Sequence, residues 1–532
     1  MKFFNTAGPV NKDMHYKIDP NLRWNLDEIL MLIAQEKYFL LHAPRQSGKT
    51  STLLALQKYL NDRDDYIAIY ANVEIGQAAR NDINEAIRGI LSNLVNRTIF
   101  TVGYEEEINN IFDSIQKKAN YKDALNVFLQ KLSILLSKPI VLLIDEIDSL
   151  VGDSLISVLR QLRSGYDMRP ENFPSSVVLC GLVDIKDYRI HRSDGEIITG
   201  GSAFNIKARA FTFENFTKTE IKELYKEHTN YTGQVFEDGI IELAYKYTSG
   251  QPWLVNALAY EVTFEMKENR DRSKLITKKA FKRAKERLIL RRETHLDQLV
   301  DKLKEERVYN IVKPMILGEN NTANSRDIEY CVDLGLIKKT KKGFVISNDI
   351  YKEIIPRELT RVTQGKFLSR FDPDWVNKDE SLNVNKLMEM FVQFWRENSG
   401  VWKAEIAGYH EATAHLVFMG FLQRVANGHG SIDREYGLAR KRADLFLEWE
   451  SPKGIQRIVF ELKMRTNKHN TDASLKKIIQ KGLIQTAEYA DISGSKENHL
   501  IIFDRRDDIK WSEKLYKEEY IYDGHEITVW GM

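Results

Sequence analysis

Tyr38-Phe-Leu-Leu-His-Ala43 runs directly into Pro44-Arg45-Gln46-Ser47-Gly48-Lys49-Thr50, and Leu53, Leu56 and Leu60 follow at helical spacing. A short apolar run, a polar loop and an apolar stripe of helical period read as strand, loop and helix. From Ala43 to Thr50 the loop meets the phosphate-binding pattern G-x-x-x-x-G-K-[ST] at every fixed position but the first, where alanine stands for glycine. Each residue type there has a chemical task. Backbone N–H groups and the positive end of the following helix cradle a β-phosphate, Lys49 reaches the β/γ oxygens, and the Thr50 hydroxyl ligates Mg²⁺. Gly48 permits close backbone approach, while the extra methyl of Ala43 is expected to narrow the loop. Gly-Lys-Thr alone also opens ordinary helices, so the rest of the chain decides.

A second strand is expected from Tyr66 to Val73, a third at Pro139-Ile-Val-Leu-Leu-Ile-Asp145-Glu146, and a fourth from Val177 to Leu182. Continuous apolar strands alternating with helices indicate a parallel sheet buried on both faces. A core strand ending in paired acids without a function leaves carboxylates partly buried at a cost few folds accept. Asp145 is placed to hold Mg²⁺ through water and Glu146 to polarise an attacking water. The cofactors read from this half are ATP and Mg²⁺. Arg160, Arg163 and Arg169 offer cations for the γ-phosphate, in the same chain or across a subunit interface, and read equally well as a solvated helix face.

Length and composition bound the rest. At 532 residues the chain has room for about three to five domains. Hydrophobic residues make up 43% and charged residues 29%, with 11 prolines, which excludes fibrous and largely disordered chains. A balance of 78 basic against 76 acidic residues argues against a general polycation, so any nucleic-acid contact comes from local patches. Two distant cysteines, Cys180 and Cys331, make neither a disulfide framework nor a cysteine-based zinc site. The polar start and the lack of an apolar run of membrane length predict a soluble, cytoplasmic protein with no membrane partner.

The α/β region is expected to span 1–210. Beyond it Thr217-Lys-Thr-Glu220 is a capping box that opens a helical lid, 211–285. Two helical stretches, Arg307 to Leu317 and Asp327 to Ile337, precede Lys338 to Ser347 with its central Gly343, the order of a winged helix-turn-helix, 286–365. Lys338, Lys339, Lys341 and Lys342 on its wing either grip phosphates or stay solvated. A polar stretch broken by Pro373 marks a linker, 366–384.

Pro44 to Thr50, Ile144-Asp-Glu-Ile-Asp148 and Gly250-Gln-Pro-Trp-Leu-Val-Asn256 resemble the P-loop, acidic strand and lid Gly-x-Pro motif of the AAA-like ATPases, nearest their archaeal-type and STAND branch. Asp327 to Leu336 and Asn348 to Arg357 resemble the winged-helix end of the same proteins, so the likeness covers about residues 1–365. The resemblance implies that Pro252 senses the nucleotide and relays its state to the winged helix. Assembly of copies through the ATPase core is a further expectation, since it brings several copies of the last domain together.

The last region, 385–532, carries a second chemical signal. Arg442-Ala-Asp444-Leu-Phe-Leu-Glu-Trp449 and Arg457-Ile-Val-Phe-Glu461-Leu-Lys463 read as a hairpin turned at Ser451-Pro-Lys-Gly454. Alternation puts Glu461 and Lys463 on one face, where Asp444 on the neighbouring strand can meet them. Two carboxylates suit a hard cation: Asp444 and Glu461 hold Mg²⁺ beside a phosphodiester, and Lys463 positions or helps activate water. A preceding helix brings Glu411 as a third carboxylate. A later helix carries Gln485 and Tyr489 four residues apart on one face, and His499 to Phe503 is a closing core strand. Glu, Asp, Glu-x-Lys and Gln-x-x-x-Tyr in that order resemble the PD-(D/E)xK nucleases, especially their recombination branch. Ala443 departs from the proline usual before the aspartate.

The expected fold is therefore α/β multidomain: a parallel-sheet P-loop ATPase core, a helical lid, a winged helix and a restriction-endonuclease-like domain. The expected function is ATP-regulated, Mg²⁺-dependent cleavage of DNA, and the resemblance to such fusions implies genome defence or mobile-element biology. A non-catalytic DNA-binding or signalling ATPase and a DNA-translocating motor are the rival readings.

Overall fold

The computed structural model describes residues 1–117, 121–184, 189–191, 197–199, 204–291, 296, 299, 301–317, 324–341, 343–359, 375–405, 411–426, 430–438, 441–467, 469, 471–506 and 509–532. The chain divides into two compact units, Met1–Met315 with Asn320–Tyr351, and Ile316–Glu319 with Lys352–Met532. Lys342, Pro373 and the linker positions 366–374 lie outside the described residues.

In the first unit, β1 (Phe3–Phe4) and β2 (His15–Tyr16) form a short parallel pair. The main sheet comprises β3 (Tyr38–His42), β4 (Ile67–Asn72), β5 (Ile140–Asp145) and β6 (Ser176–Gly181). After a small hairpin of β7 (Arg189–His191) and β8 (Ile197–Thr199), β9 (Lys207–Thr212) completes it. Its order is β4-β5-β6-β3-β9, parallel throughout. Alternate residues feed two cores: Leu40, Ile69, Leu142 and Leu179 on one face, Leu41, Ala68, Leu143 and Val178 on the other. Burial on both faces is why the middles of β3, β4, β5 and β6 are continuously apolar, whereas the edge strand β9 is partly exposed and carries Lys207 and Arg209. The Lys49–Arg63 helix buries Leu53, Leu56 and Leu60 on the second face.

Helices Lys218–Thr232, Ile240–Thr248, Pro252–Tyr260 and Lys278–Arg291 follow. The first opens on the expected capping box: Thr217 Oγ1 accepts from the Glu220 N–H, and the Glu220 carboxylate accepts from the Thr217 N–H. Helices Glu306–Leu317 and Ser325–Asp333 then lead into an antiparallel hairpin of β10 (Ile337–Thr340) and β11 (Gly343–Ile346).

The second unit is built on β12 (Gly430–Leu438), β13 (Lys441–Ser451), β14 (Gly454–Arg465), β15 (Glu497–Asp504), β16 (Tyr516–Tyr522) and β17 (His525–Gly531). Their order is β12-β13-β14-β15-β17-β16. β13 and β14 form the expected hairpin, with Ser451 opposite Gly454 and Leu445 opposite Phe460. β15 and β17 continue the sheet in parallel from β14. The strand containing His499 to Phe503 is thus interior, not closing as its apolar run suggests. Beyond it the β16–β17 hairpin turns on Asp523 and Gly524, both at positive φ. The Asp472–Ser493 helix covers one face through Ile479 and Leu483 against Leu500 and Ile502. On the other face Phe418 meets Phe460 and Trp395 meets Phe503, from the Glu411–Ala426 and Val384–Glu405 helices.

Candidate functional site

Parallel β3 and β5 end on the same side of the sheet with β6 between them, which brings loop 43–50 and the acidic pair together around a cavity of about 590 Å³. Gln46 and Gly48 adopt positive φ, 56° and 99°. Glycine enters that region freely, whereas Gln46 is held there by the loop. Gly48 is also the N-cap of the Lys49–Arg63 helix, and no side chain caps its first amides, which leaves them for an anion. Ser47 Oγ is buried with no partner among the described residues. Lys49 donates to the Ala43 and Pro44 carbonyls at 2.9 and 3.1 Å. The Ala43 side chain is buried in the apolar core with Leu41 and Leu53 and does not line the cavity.

Asp145 is fully buried at the end of β5 and joins the two halves of the site. Its Oδ2 accepts from the Thr50 hydroxyl at 2.7 Å and from the Tyr70 hydroxyl at 3.0 Å, and its Oδ1 from the Glu146 N–H at 3.0 Å. A hydroxyl and a carboxylate in contact are a hard-oxygen donor pair that fits Mg²⁺. Glu146 lines the cavity with φ 58° and ψ 40°, a left-handed conformation unusual for glutamate. Burial first, then the nearby Asp148, raises its carboxyl above the ordinary range, while Lys49 acts in the opposite direction.

Pro252 lines the same cavity, followed by Trp253 and Asn256. Gly250 has φ +76°, and a Cβ there would lie 1.9 Å from the Phe216 carbonyl oxygen, so the motif glycine is sterically required. Arg45, Gln46, Ser47, Gly48, Lys49 and Thr50 all line the cavity; Pro44 does not. Sequence reasoning missed the amino-terminal contribution. Trp253 Nε1 donates to the Thr6 carbonyl at 2.8 Å and the Val10 N–H to Ser51 Oγ at 3.0 Å, securing residues 5–10 along one wall. Arg23 also borders it, 4.5 Å over Phe216 and 3.4 Å from the Ser47 carbonyl, its pKa lowered to about 10 by burial. The three arginines considered as γ-phosphate cations do not line the cavity. Arg169 stacks on Tyr166 and donates to the Tyr166 and Ser175 carbonyls. Arg97, 5.5 Å over the Tyr70 ring, is the cavity's cation from the Ile83–Val102 helix.

In the second unit, Glu461 on β14 is 1% exposed and pairs with Lys463, two residues on. Leu500 and Ile502 lie opposite them on β15. The helix over this face carries Gln485 and Tyr489; Tyr489 packs with Phe446 and Val459, and Gln485 Oε1 is buried without a partner among the described residues. Asp444 precedes Leu445 as Glu461 follows the opposed Phe460, so their backbone positions are neighbours across the hairpin. The side chains of Asp444 and Glu411 lie outside those described. Farther along β14, Arg465 is 3.5 Å from Asp504, which Arg506 grips with two nitrogens at 3.0 and 2.7 Å. Among the described residues there is no group of three or more His, Cys, Asp or Glu that could hold a metal, and no helix long and apolar enough to cross a membrane.

The AAA-like domain model matches residues 32–356. Similar solved structures include a Walker-type ATPase of Pyrococcus abyssi, 17% identical, covering 66% of this chain and 99% of that one with a TM-score of 0.47. Cdc6p of Pyrobaculum aerophilum is 16% identical over 66% of this chain and 96% of its own, TM-score 0.35. The Holliday junction branch migration motor RuvB of Thermotoga maritima is 14% identical over 62% and 95%, TM-score 0.33. No curated protein matches the chain. With the family model spanning more than half of the sequence, this chain belongs to the AAA-like domain family.

Proposed function

We propose that the chain couples the ATPase-type function that its family membership brings to Mg²⁺-dependent cleavage of DNA by residues 385–532. The observation that supports the second activity is the Glu461–Lys463 pair, its carboxylate buried and its lysine partly so, set among the apolar Ile458, Val459, Phe460 and Leu462 of a central strand beneath the helix that bears Gln485 and Tyr489. A buried carboxylate is seldom a gain over a packed apolar residue, even when paired, so a chemical use is the better account of it.

In the first unit, Lys49 and the helix amides hold the phosphates of ATP, Thr50 and Asp145 hold Mg²⁺, and Glu146 takes the proton of the attacking water. Pro252 lies against the nucleotide and the lid transmits its state to residues 286–365, whose helix-helix-hairpin order suits a winged helix. In the second unit Asp444 and Glu461 hold the metal, with Glu411 as a further ligand, and a bound Mg²⁺ supplies polarisation of the phosphodiester. Lys463 orients the water that attacks, while Gln485 and Tyr489 position the substrate and the Glu461 side chain. Copies assemble through the ATPase core, and the role is genome defence or mobile-element biology.

The test is nicking of supercoiled plasmid by the full chain with Mg²⁺ and ATP. Glu461→Gln keeps the volume and an acceptor for Lys463 and is expected to remove nicking while leaving ATP turnover intact. The rival reading is a DNA-binding or signalling ATPase with an inactive last domain. That reading expects DNA retention with no nicks from the unaltered chain.

A further inference from the structure

We infer that the first unit has a second ligand site, for a small organic anion, which acts on the nucleotide loop from outside the nucleotide cavity. The site is a cavity of about 240 Å³ between loop 43–50 and the segment 332–351. This is smaller than the roughly 300–1,000 Å³ of pockets for drug-sized molecules, so its occupant is small. Leu182, Phe213, Leu299, Leu336 and Ile337 supply apolar walls for a hydrocarbon body.

Two polar groups of the lining define the rest of that occupant. Gln251 is 6% exposed, and its Oε1 accepts from the Leu254 N–H at 2.6 Å. Its Nε2 is buried with no partner among the described residues, although a buried donor ordinarily finds an acceptor. The walls also contain Arg45, Lys302 and Lys338 and no aspartate or glutamate. Lys302 is paired with Glu305 and Lys338 donates to Ser249, whereas Arg45 has no hydrogen bond or ion pair among the described residues. A buried amide donor and an exposed guanidinium with no acidic partner among the described residues, on a cavity with apolar walls, suit a molecule with one acidic group on an apolar body.

The same residues give this site a route to the nucleotide. Arg45 lines both cavities, and Gln251 lines this one while the next residue, Pro252, lines the other. Across the slot, Gly335 is so close to Pro44 that a Cβ on it would lie 2.9 Å from the Pro44 ring. His42, at the start of the loop, is 3.8 Å from Asp333. A ligand bridging loop and segment therefore changes the free energy of the loop conformation that binds phosphate, and by linkage ATP changes affinity for the ligand equally.

The probes are benzoate, 2-naphthoate and 1-naphthyl phosphate, each paired with its neutral amide or alcohol, titrated by calorimetry into the full chain without nucleotide. We expect at least one anion to bind at one site per chain, tenfold or more tighter than its neutral partner. Gln251→Glu keeps the helix cap and replaces the donor by a like charge; Asn215→Trp fills the mouth from an exposed position. Each should weaken binding tenfold or more, while Asn215→Trp leaves ATP affinity within twofold. Lys49→Ala should keep anion binding, which separates this site from the nucleotide reading. A saturating anion should shift the affinity of a fluorescent ATP analogue at least threefold. Failure of all three anions, equal affinity for the neutral partners, binding retained in both variants, or an unmoved ATP affinity overturns the proposal.

Discussion

Lys49 and Glu146 lie on one cavity but do different work, and that difference is measurable. Lys49 donates to two loop carbonyls, which a bound phosphate replaces with a full negative charge. Lys49→Ala is therefore expected to lower ATP affinity by about 2 kcal/mol or more, roughly 30-fold, in a fluorescent-nucleotide titration. Glu146→Gln should leave that affinity nearly unchanged and slow turnover by about 10²-fold or more, as loss of a general base does; equal effects of the two would dissolve the assignment. Glu146 must be ionised to accept a proton, and burial and Asp148 raise its pKa. Turnover should rise with pH through that raised value. Asp148→Asn keeps an acceptor for the Leu182 N–H and should move the acidic limb to lower pH. An unmoved limb would show that Asp148 does not act on the base. These residues were legible because their types and spacing are fixed by phosphate chemistry. Arg23, Thr6 and Arg97 were not, since Thr6 meets Trp253 across 247 positions and no local pattern encodes such a contact.

Strands buried on both faces announced themselves as apolar runs, and the first four of the main sheet lie where those runs are. Their lateral order, with β6 between β3 and β5, is a property of pairing and is absent from periodicity. In the second unit the apolar criterion favoured β14 and β15 and passed over β16, whose Tyr516-Lys-Glu-Glu-Tyr-Ile-Tyr522 is mostly polar because it is an edge strand. Its signal was Asp523-Gly524, a two-residue turn between alternating strands. Turn chemistry also governs the lid. Phe216 donates its N–H to the Gly250 carbonyl at 2.7 Å, so the loop before the Lys218–Thr232 helix is tied to the one before the Pro252–Tyr260 helix. Gly250→Ala combines a positive φ with a backbone collision and should cost more than about 1 kcal/mol. A lower Tm with weaker ATP binding is expected, because Pro252, Trp253 and Asn256 shift with the helix; an unchanged Tm would mean the loop yields without loss.

At the scale of the molecule, the change of pattern near residue 211 and the helix-helix-hairpin order suggested core, lid and winged-helix regions, and residues 1–315 and 320–351 form one compact unit. Long-range packing holds that unit together: Pro44 against Gly335 and Lys338 against Ser249 tie positions far apart in the sequence. The second unit has its own sheet with helices on both faces, so each unit has the core it needs to fold. Coupling between two such units is then a matter of free energy, and it is separable by mutation. If ATP acts as a switch for DNA cleavage, Lys49→Ala should abolish the ATP dependence of plasmid nicking while the chemistry around Glu461 remains intact, and Glu461→Gln should abolish nicking at every ATP concentration. Mixing the two variants adds a further reading: restored nicking requires that the nucleotide site of one copy act on the second unit of another, which is possible only in an assembly. Nicking by the unaltered chain that ignores ATP, with both variants behaving as stated in their own assays, would leave two activities on one chain with no linkage between them.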